Sequence, residues 1–221
     1  MSRSPVGLRS LIPADIELIY FPFGGRAKAI RLIFETAKIP FKDTRVNGQA
    51  YGALQRSGEL PLETLPILKV DGKLLSSQSG AIVRYAAELA GLQLVGSTSV
   101  FRGEEIVATI DDVSALCMKF YESADEDVAK NGADLIASGV PFFAERIESI
   151  LSNNQHDGPF VNETLSWVDI YVYSNLGPGT NFDDIVLSLG GSTPAQVLAA
   201  FPRLTALLSA VGHIPAVAAH K

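Results

Sequence analysis

Residues 66–91 read PILKVDGKLLSSQSGAIVRYAAELAG, and the order of signals inside them decides the fold. Pro66 opens a short apolar run through Val70. Asp71-Gly72 is a two-residue hairpin turn of the type that needs positive φ, and Lys73 to Ser76 returns. Ile82, Tyr85, Ala86 and Leu89 then fall at i, i+3, i+4 and i+7, one face of a helix. Gly91 stands where a helix end places a left-handed residue. The stretch predicts an antiparallel hairpin followed by a helix.

Upstream, residues 16–21 (IELIYF) form a short β-rich run closed by Pro22 and the pair Gly24-Gly25, which predicts a buried strand. Ala27, Ile30, Ile33, Phe34 and Ala37 follow at helical spacing. Pro40 ends that helix, because the residue before a proline is pushed towards extended geometry. Residues 41–46 predict a second strand, and residues 47–64, rich in Gly and polar residues and holding Pro61, predict an irregular connection. A helix joins the first two strands, so they can be parallel. β-α-β followed by β-β-α is the thioredoxin-like layout, a four-stranded mixed sheet with helices over it, expected here over residues 16–92. Residues 1–15 carry Arg3 and Arg9 with no acid before Asp15, and are expected to be a flexible N-terminal arm.

Downstream of a joint at residues 93–99 the pattern becomes helical throughout. Ile106, Ile110, Val113, Cys117 and Phe120 make one long apolar stripe. Ile136, Val140, Phe143, Ile147 and Ile150 make another, with Gly139 and Pro141 suggesting a kink or a late start. Ser166-Trp167-Val168-Asp169 opens a helix as a capping box with Asp in the usual Glu position. Residues 182–189 and 202–211 predict two more helices. The expected fold class is α/β plus all-α, a thioredoxin-like N-terminal domain followed by an all-helical C-terminal domain over residues 100–221.

Composition narrows the function. The 221 residues are 47% hydrophobic, enough for a sizeable core, and the net charge is −6 with no basic stripe, which argues against a nucleic-acid partner. No run reaches the ~18 apolar residues of a membrane-spanning helix. A single cysteine, Cys117, excludes an intramolecular disulfide framework and any CxxC motif and fits a reducing, cytoplasmic compartment. His156, His213 and His220 show no ligand spacing, so no metal is expected.

Four segments together resemble the cytosolic glutathione transferases, sigma-like class. They are Leu18-Ile19-Tyr20-Phe21-Pro22-Phe23-Gly24-Gly25-Arg26-Ala27, similar to the family's first strand and active-site loop; residues 65–72 (LPILKVDG), similar to its cis-proline hairpin; Gln78-Ser79 followed by residues 81–85 (AIVRY); and residues 166–169 (SWVD). Phe201-Pro202-Arg203-Leu204 and residues 214–217 (IPAV) add weaker agreement. The likeness spans about residues 16–219.

The resemblance implies glutathione as co-substrate and a hydrophobic electrophile as its partner. A free thiol of pKa about 8.5 is only ~7% thiolate near pH 7.4. A donor at the sulfur, worth about 1.5–3 kcal/mol, lowers that pKa by about one to two units. The family assigns the donor role to the position of Tyr20, which ends the first strand. Tyr20 would not act as a base; it would donate to an anion formed when the thiol proton leaves to solvent. Arg26, near the first helical turn, would add positive charge. Leu65, before Pro66, would pair its backbone with the cysteinyl backbone of glutathione. Gln78 and Ser79, at a helix start, would take the γ-glutamyl carboxylate. Asp112, with Asp111 in reserve, would reach the γ-glutamyl amino group across a homodimer. Tyr51 and Gln55 stand where sigma-like members carry Trp and Lys at the glycyl end, and Thr64 replaces a second Lys. Affinity for glutathione is therefore expected to be lower, or the glycyl carboxylate held differently. Phe23, Cys117 and Tyr121 are the expected electrophile-pocket residues. Two alternatives remain open: a glutathione-dependent isomerase of the prostaglandin type, and a non-catalytic ligand-binding or structural member of the fold.

Overall fold

The computed structural model describes residues 12–124, 127–190 and 192–220. Residues 1–11 of the expected arm lie outside them. The chain divides into two compact units, Met1–Gln93 and Leu94–Lys221.

The first unit holds strands β1 (Ile16–Tyr20), β2 (Lys42–Arg45), β3 (Ile67–Val70) and β4 (Lys73–Ser76) in the order β2-β1-β3-β4. β1 runs parallel to β2, with Tyr20 opposite Arg45, and antiparallel to β3, with Ile19 opposite Ile67. β3 and β4 form the expected hairpin. Asp71 and Gly72 both take positive φ, as a tight hairpin turn requires. The central strands carry the fully buried Leu18, Ile67 and Leu68, whereas β2 (KDTR) at the edge is polar. Helices α1 (Lys28–Thr36) and α3 (Ser79–Ala90) pack against each other, burying Ile30, Ile33, Phe34, Ile82, Val83 and Ala86. Gly91 caps α3 in the left-handed region at φ 67°.

One expectation is corrected here. Residues 47–64 are not an irregular connection throughout, because they contain helix α2 (Gly48–Ser57). Asn47 opens it, its side chain accepting from the Ala50 N–H at 2.9 Å, and Gly58 closes it in the left-handed region. None of its residues is buried, so no apolar stripe announces it.

The second unit is helical: α4 (Ser97–Tyr121), α5 (Val128–Asp134), α6 (Val140–Ser152), α7 (Trp167–Leu176), α8 (Asn181–Leu189), α9 (Pro194–Val197), α10 (Pro202–Gly212) and α11 (Pro215–Ala218). The sequence of α7, WVDIYVYSNL, is apolar on nearly every side. It is accordingly the central helix, packed by α4, α8 and α10. Asp169 is buried in it without being stranded. Its carboxylate accepts from the Ser166 N–H and Ser166 hydroxyl, both at 2.7 Å, and from the Val161 N–H at 2.8 Å. The expected α4 stripe of Ile106, Ile110, Val113, Cys117 and Phe120 is buried throughout.

The second stripe holds at Val140, Ile147 and Ile150, which are buried, and is corrected at Ile136 and Phe143. A π-helical turn, Leu135–Gly139, joins α5 to α6 ahead of Pro141. Leu135 and Val140, five residues apart, both face inward, followed by Ala144, Ile147, Ile150 and Leu151, while Ile136 and Phe143 stay half-buried. Pro141 has no N–H to give a regular α turn, and the wider turn absorbs the lost bond. Among the described residues no helix is long and apolar enough to cross a membrane.

Candidate active site

Tyr20 is the last residue of β1, and its ring is held by contacts within the first unit. The Arg26 backbone N–H donates to the Tyr20 hydroxyl oxygen at 3.2 Å. Arg26 is the middle residue of the 3-10 turn Gly25–Ala27 that leads into α1, and its side chain is exposed. A phenol oxygen that accepts one N–H keeps its own hydrogen for another acceptor and is polarised to donate it better. Gly25 makes the approach possible. It takes φ 43°, and a Cβ there would lie 2.6 Å from the Tyr20 hydroxyl oxygen.

Aromatic rings surround the hydroxyl's residue. Phe21 and Phe23 stack with centroids 5.4 Å apart, and Tyr20 meets both edge-on at 5.4 and 5.6 Å. Tyr51 of α2 adds a further edge contact to Phe21 at 5.3 Å. Phe23 is 58% exposed and so presents a free aromatic surface beside Tyr20.

Other expected residues have definite positions. The Leu65–Pro66 peptide is cis, immediately before β3. Tyr51 donates its hydroxyl to the Glu63 carbonyl at 2.6 Å, and the Gln55 amide donates to the Tyr51 hydroxyl at 3.0 Å. Both thus tie down the loop ahead of Leu65. Gln78 is the N-cap of α3 and Ser79 its first helical residue, so the capping position belongs to Gln78 rather than Ser79. In the second unit, Asp111 and Asp112 are exposed on α4, and Asp111 accepts from the Tyr171 hydroxyl of α7 at 2.5 Å. Asp111 is therefore engaged within its own unit. Cys117 is 2% exposed, and burial pushes its thiol up to about 11. Tyr121, at the end of α4, is exposed, and partial burial raises its phenol above the ordinary value.

Three polar residues at this site were not anticipated. Arg31 of α1 donates to the Phe23 carbonyl at 2.8 Å, the Phe21 carbonyl at 3.0 Å and Asp43 at 3.0 Å. Its guanidinium lies 5.8 Å from the Tyr20 ring centroid, within cation–π range. Asp43 also accepts from Arg45 at 2.8 Å. The available signal was an arginine in a run of apolar residues, Ala29-Ile30-Arg31-Leu32-Ile33-Phe34, all buried; a charge there needs partners.

Comparison with known proteins carries the decision. A family model described as "Glutathione S-transferase, C-terminal domain" matches residues 111–221, half of the chain. Hematopoietic prostaglandin D synthase of Gallus gallus is 30% identical over 207 residues, covering 93% of this chain and 94% of that protein. This chain belongs to the glutathione S-transferase family. Glutathione S-transferase S1 of Drosophila melanogaster is 30% identical over 155 residues, covering 70% of this chain and 60% of that transferase. Among solved structures, the prostaglandin synthase D of Nilaparvata lugens superposes with a TM-score of 0.77 at 27% identity, covering 93% of this chain and 96% of that one. The thioredoxin-like and helical units described above are thus those of a glutathione S-transferase.

Proposed function

We propose that the protein conjugates the thiolate of glutathione to hydrophobic electrophiles, with the Tyr20 hydroxyl stabilising the thiolate. The observation that carries this reading is the Arg26 N–H bonded to the Tyr20 oxygen, which leaves the phenol hydrogen free to donate. The thiol proton leaves to solvent and the sulfur lone pair forms the carbon–sulfur bond. The displaced group departs with the electron pair of its own bond, or an addition product takes up a proton. The exposed Arg26 side chain adds a positive field to the same turn. Leu65, with Pro66 behind it, offers backbone groups to the cysteinyl residue, and Gln78 and Ser79 at the start of α3 suit the γ-glutamyl carboxylate. Tyr51 and Gln55 line the glycyl end. Phe23, Cys117 and Tyr121 are the proposed electrophile-side residues. Detoxification in the cytoplasm is the role this chemistry fits. Asp112 serves the γ-glutamyl amino group of a partner protomer in a homodimer, the more so because Asp111 is held by Tyr171.

The test is the ionisation of bound glutathione followed by ultraviolet difference absorbance against pH. The wild type should give a midpoint well below the free thiol's. Tyr20→Phe should fold and bind glutathione, ionise it only at higher pH, and lose about 10–100-fold in conjugation rate. Unchanged conjugation would remove Tyr20 from the mechanism. A second reading, a glutathione-dependent prostaglandin D synthase, is favoured by the relatives that carry that name. Formation of prostaglandin D from its endoperoxide would select it.

A further inference from the structure

We infer that Arg31, Asp43 and Arg45 act as a positioning clamp that sets the height and orientation of the Tyr20 hydroxyl, an inference that rests on the transferase reading above. Parallel pairing of β1 and β2 puts Arg45 opposite Tyr20 and Asp43 opposite Leu18. Asp43 and Arg45, two apart, project from the same face of β2. Arg31 reaches that face from α1. One carboxylate joins both cations, Asp43 Oδ1 to Arg31 and Oδ2 to Arg45. The two guanidiniums then hold three consecutive carbonyls of the loop after Tyr20: Phe21 and Phe23 through Arg31, and Pro22 through Arg45 at 3.4 Å.

Phe21 and Phe23 carry the rings that pack on Tyr20, and the loop continues into Gly25 and Arg26, whose N–H holds the hydroxyl oxygen. The clamp therefore acts on the reacting hydroxyl through the loop that follows Tyr20. The Arg31 side chain is 5% exposed, so its bonds are little screened by solvent. Arg suits this place and Lys does not, because the planar fork addresses a carboxylate and two carbonyls at once. Displacing a donor by a fraction of an ångström weakens a hydrogen bond that must be short and straight to favour the anion.

The experiment compares the wild type with Arg31→Lys and with the double variant Arg31→Met/Asp43→Asn, which removes both charges so that no carboxylate is stranded. The thiolate midpoint of bound glutathione should rise by about one pH unit in the double variant and by less in Arg31→Lys. Conjugation kcat/KM should fall about tenfold below the midpoint, with the gap closing as pH rises past it. Glutathione Kd should change by no more than about twofold, since the hydrogen bonds of the clamp go to Asp43 and to the carbonyls of residues 21–23 rather than to the peptide. A merely structural role would lower the thermal midpoint and leave the thiolate midpoint where it was. Folded variants with an unmoved thiolate midpoint overturn the inference. Should the double variant not fold, Arg31→Lys decides it on the same readout. A wild type that shows no lowered midpoint at all would instead overturn the role of Tyr20, so the two failures are distinguishable.

Discussion

At the scale of single residues, the hydroxyl of Tyr20 depends on a neighbour that has no side chain. A methyl at Gly25 meets the phenol oxygen and adds the cost of positive φ, about 1 kcal/mol or more. At Gly24 the same methyl meets only the flexible Lys28 side chain, at ordinary φ. Gly25→Ala should therefore lose about tenfold or more in conjugation kcat/KM, and Gly24→Ala much less. Equal effects from the two would show that the hydroxyl is not held where the geometry puts it. The place of Tyr20 at the end of a buried strand was legible from local pattern, and its expected donor role came with the resemblance of residues 18–27 to the glutathione transferases. Arg31, Asp43 and Arg45 were not legible. Their meaning arises from parallel pairing and a helix crossing, and neither is a property of local spacing.

At the scale of elements, legibility followed burial. Helices α3, α4 and α10 announced themselves by apolar stripes. Helix α2 buries nothing and left only its two end signals, Asn47 and Gly58. The five-residue step from Leu135 to Val140 across the π turn has no counterpart in a 3.6-residue period. The capping box of α7 was readable, but its depth was not. Burial pushes the Asp169 carboxyl up to about 6, against the three hydrogen bonds it accepts. A folded-state value above the ordinary one means the native protein holds the proton more tightly than the unfolded chain. The stability that this group contributes is therefore complete below about pH 4 and is lost as pH rises through about 6. Relative to wild type, Asp169→Asn should gain on the order of 3 kcal/mol between pH 4 and pH 7, on top of a constant loss from its altered hydrogen bonds. Urea midpoints across that range measure it. A flat difference would mean that the three donors keep the carboxylate ionised at both ends.

At the scale of the molecule, the division into a mixed-sheet unit and a helical unit was legible. The period of the hydrophobic pattern changes once along the chain, and Asp71-Gly72 leaves no choice but a hairpin. The helical connection and the tight turn account for the β1–β2 and β3–β4 pairs, and the antiparallel β1–β3 pairing completes the order β2-β1-β3-β4. A homodimer is the assembly in which Asp112 gains a use, and sedimentation should give about twice the chain's 23.6 kDa. A monomer that still ionises glutathione would remove Asp112 from the site while leaving Tyr20 in it.

The chain's one cysteine lies on the buried face of α4, its thiol held in the protonated form. A catalyst that handles carbon electrophiles risks being alkylated by them. Here the protein's own thiol is shut away and muted, while the reactive thiol arrives from solution, is spent, and leaves with the product. Each turnover thus consumes a replaceable small molecule rather than the chain's own thiol.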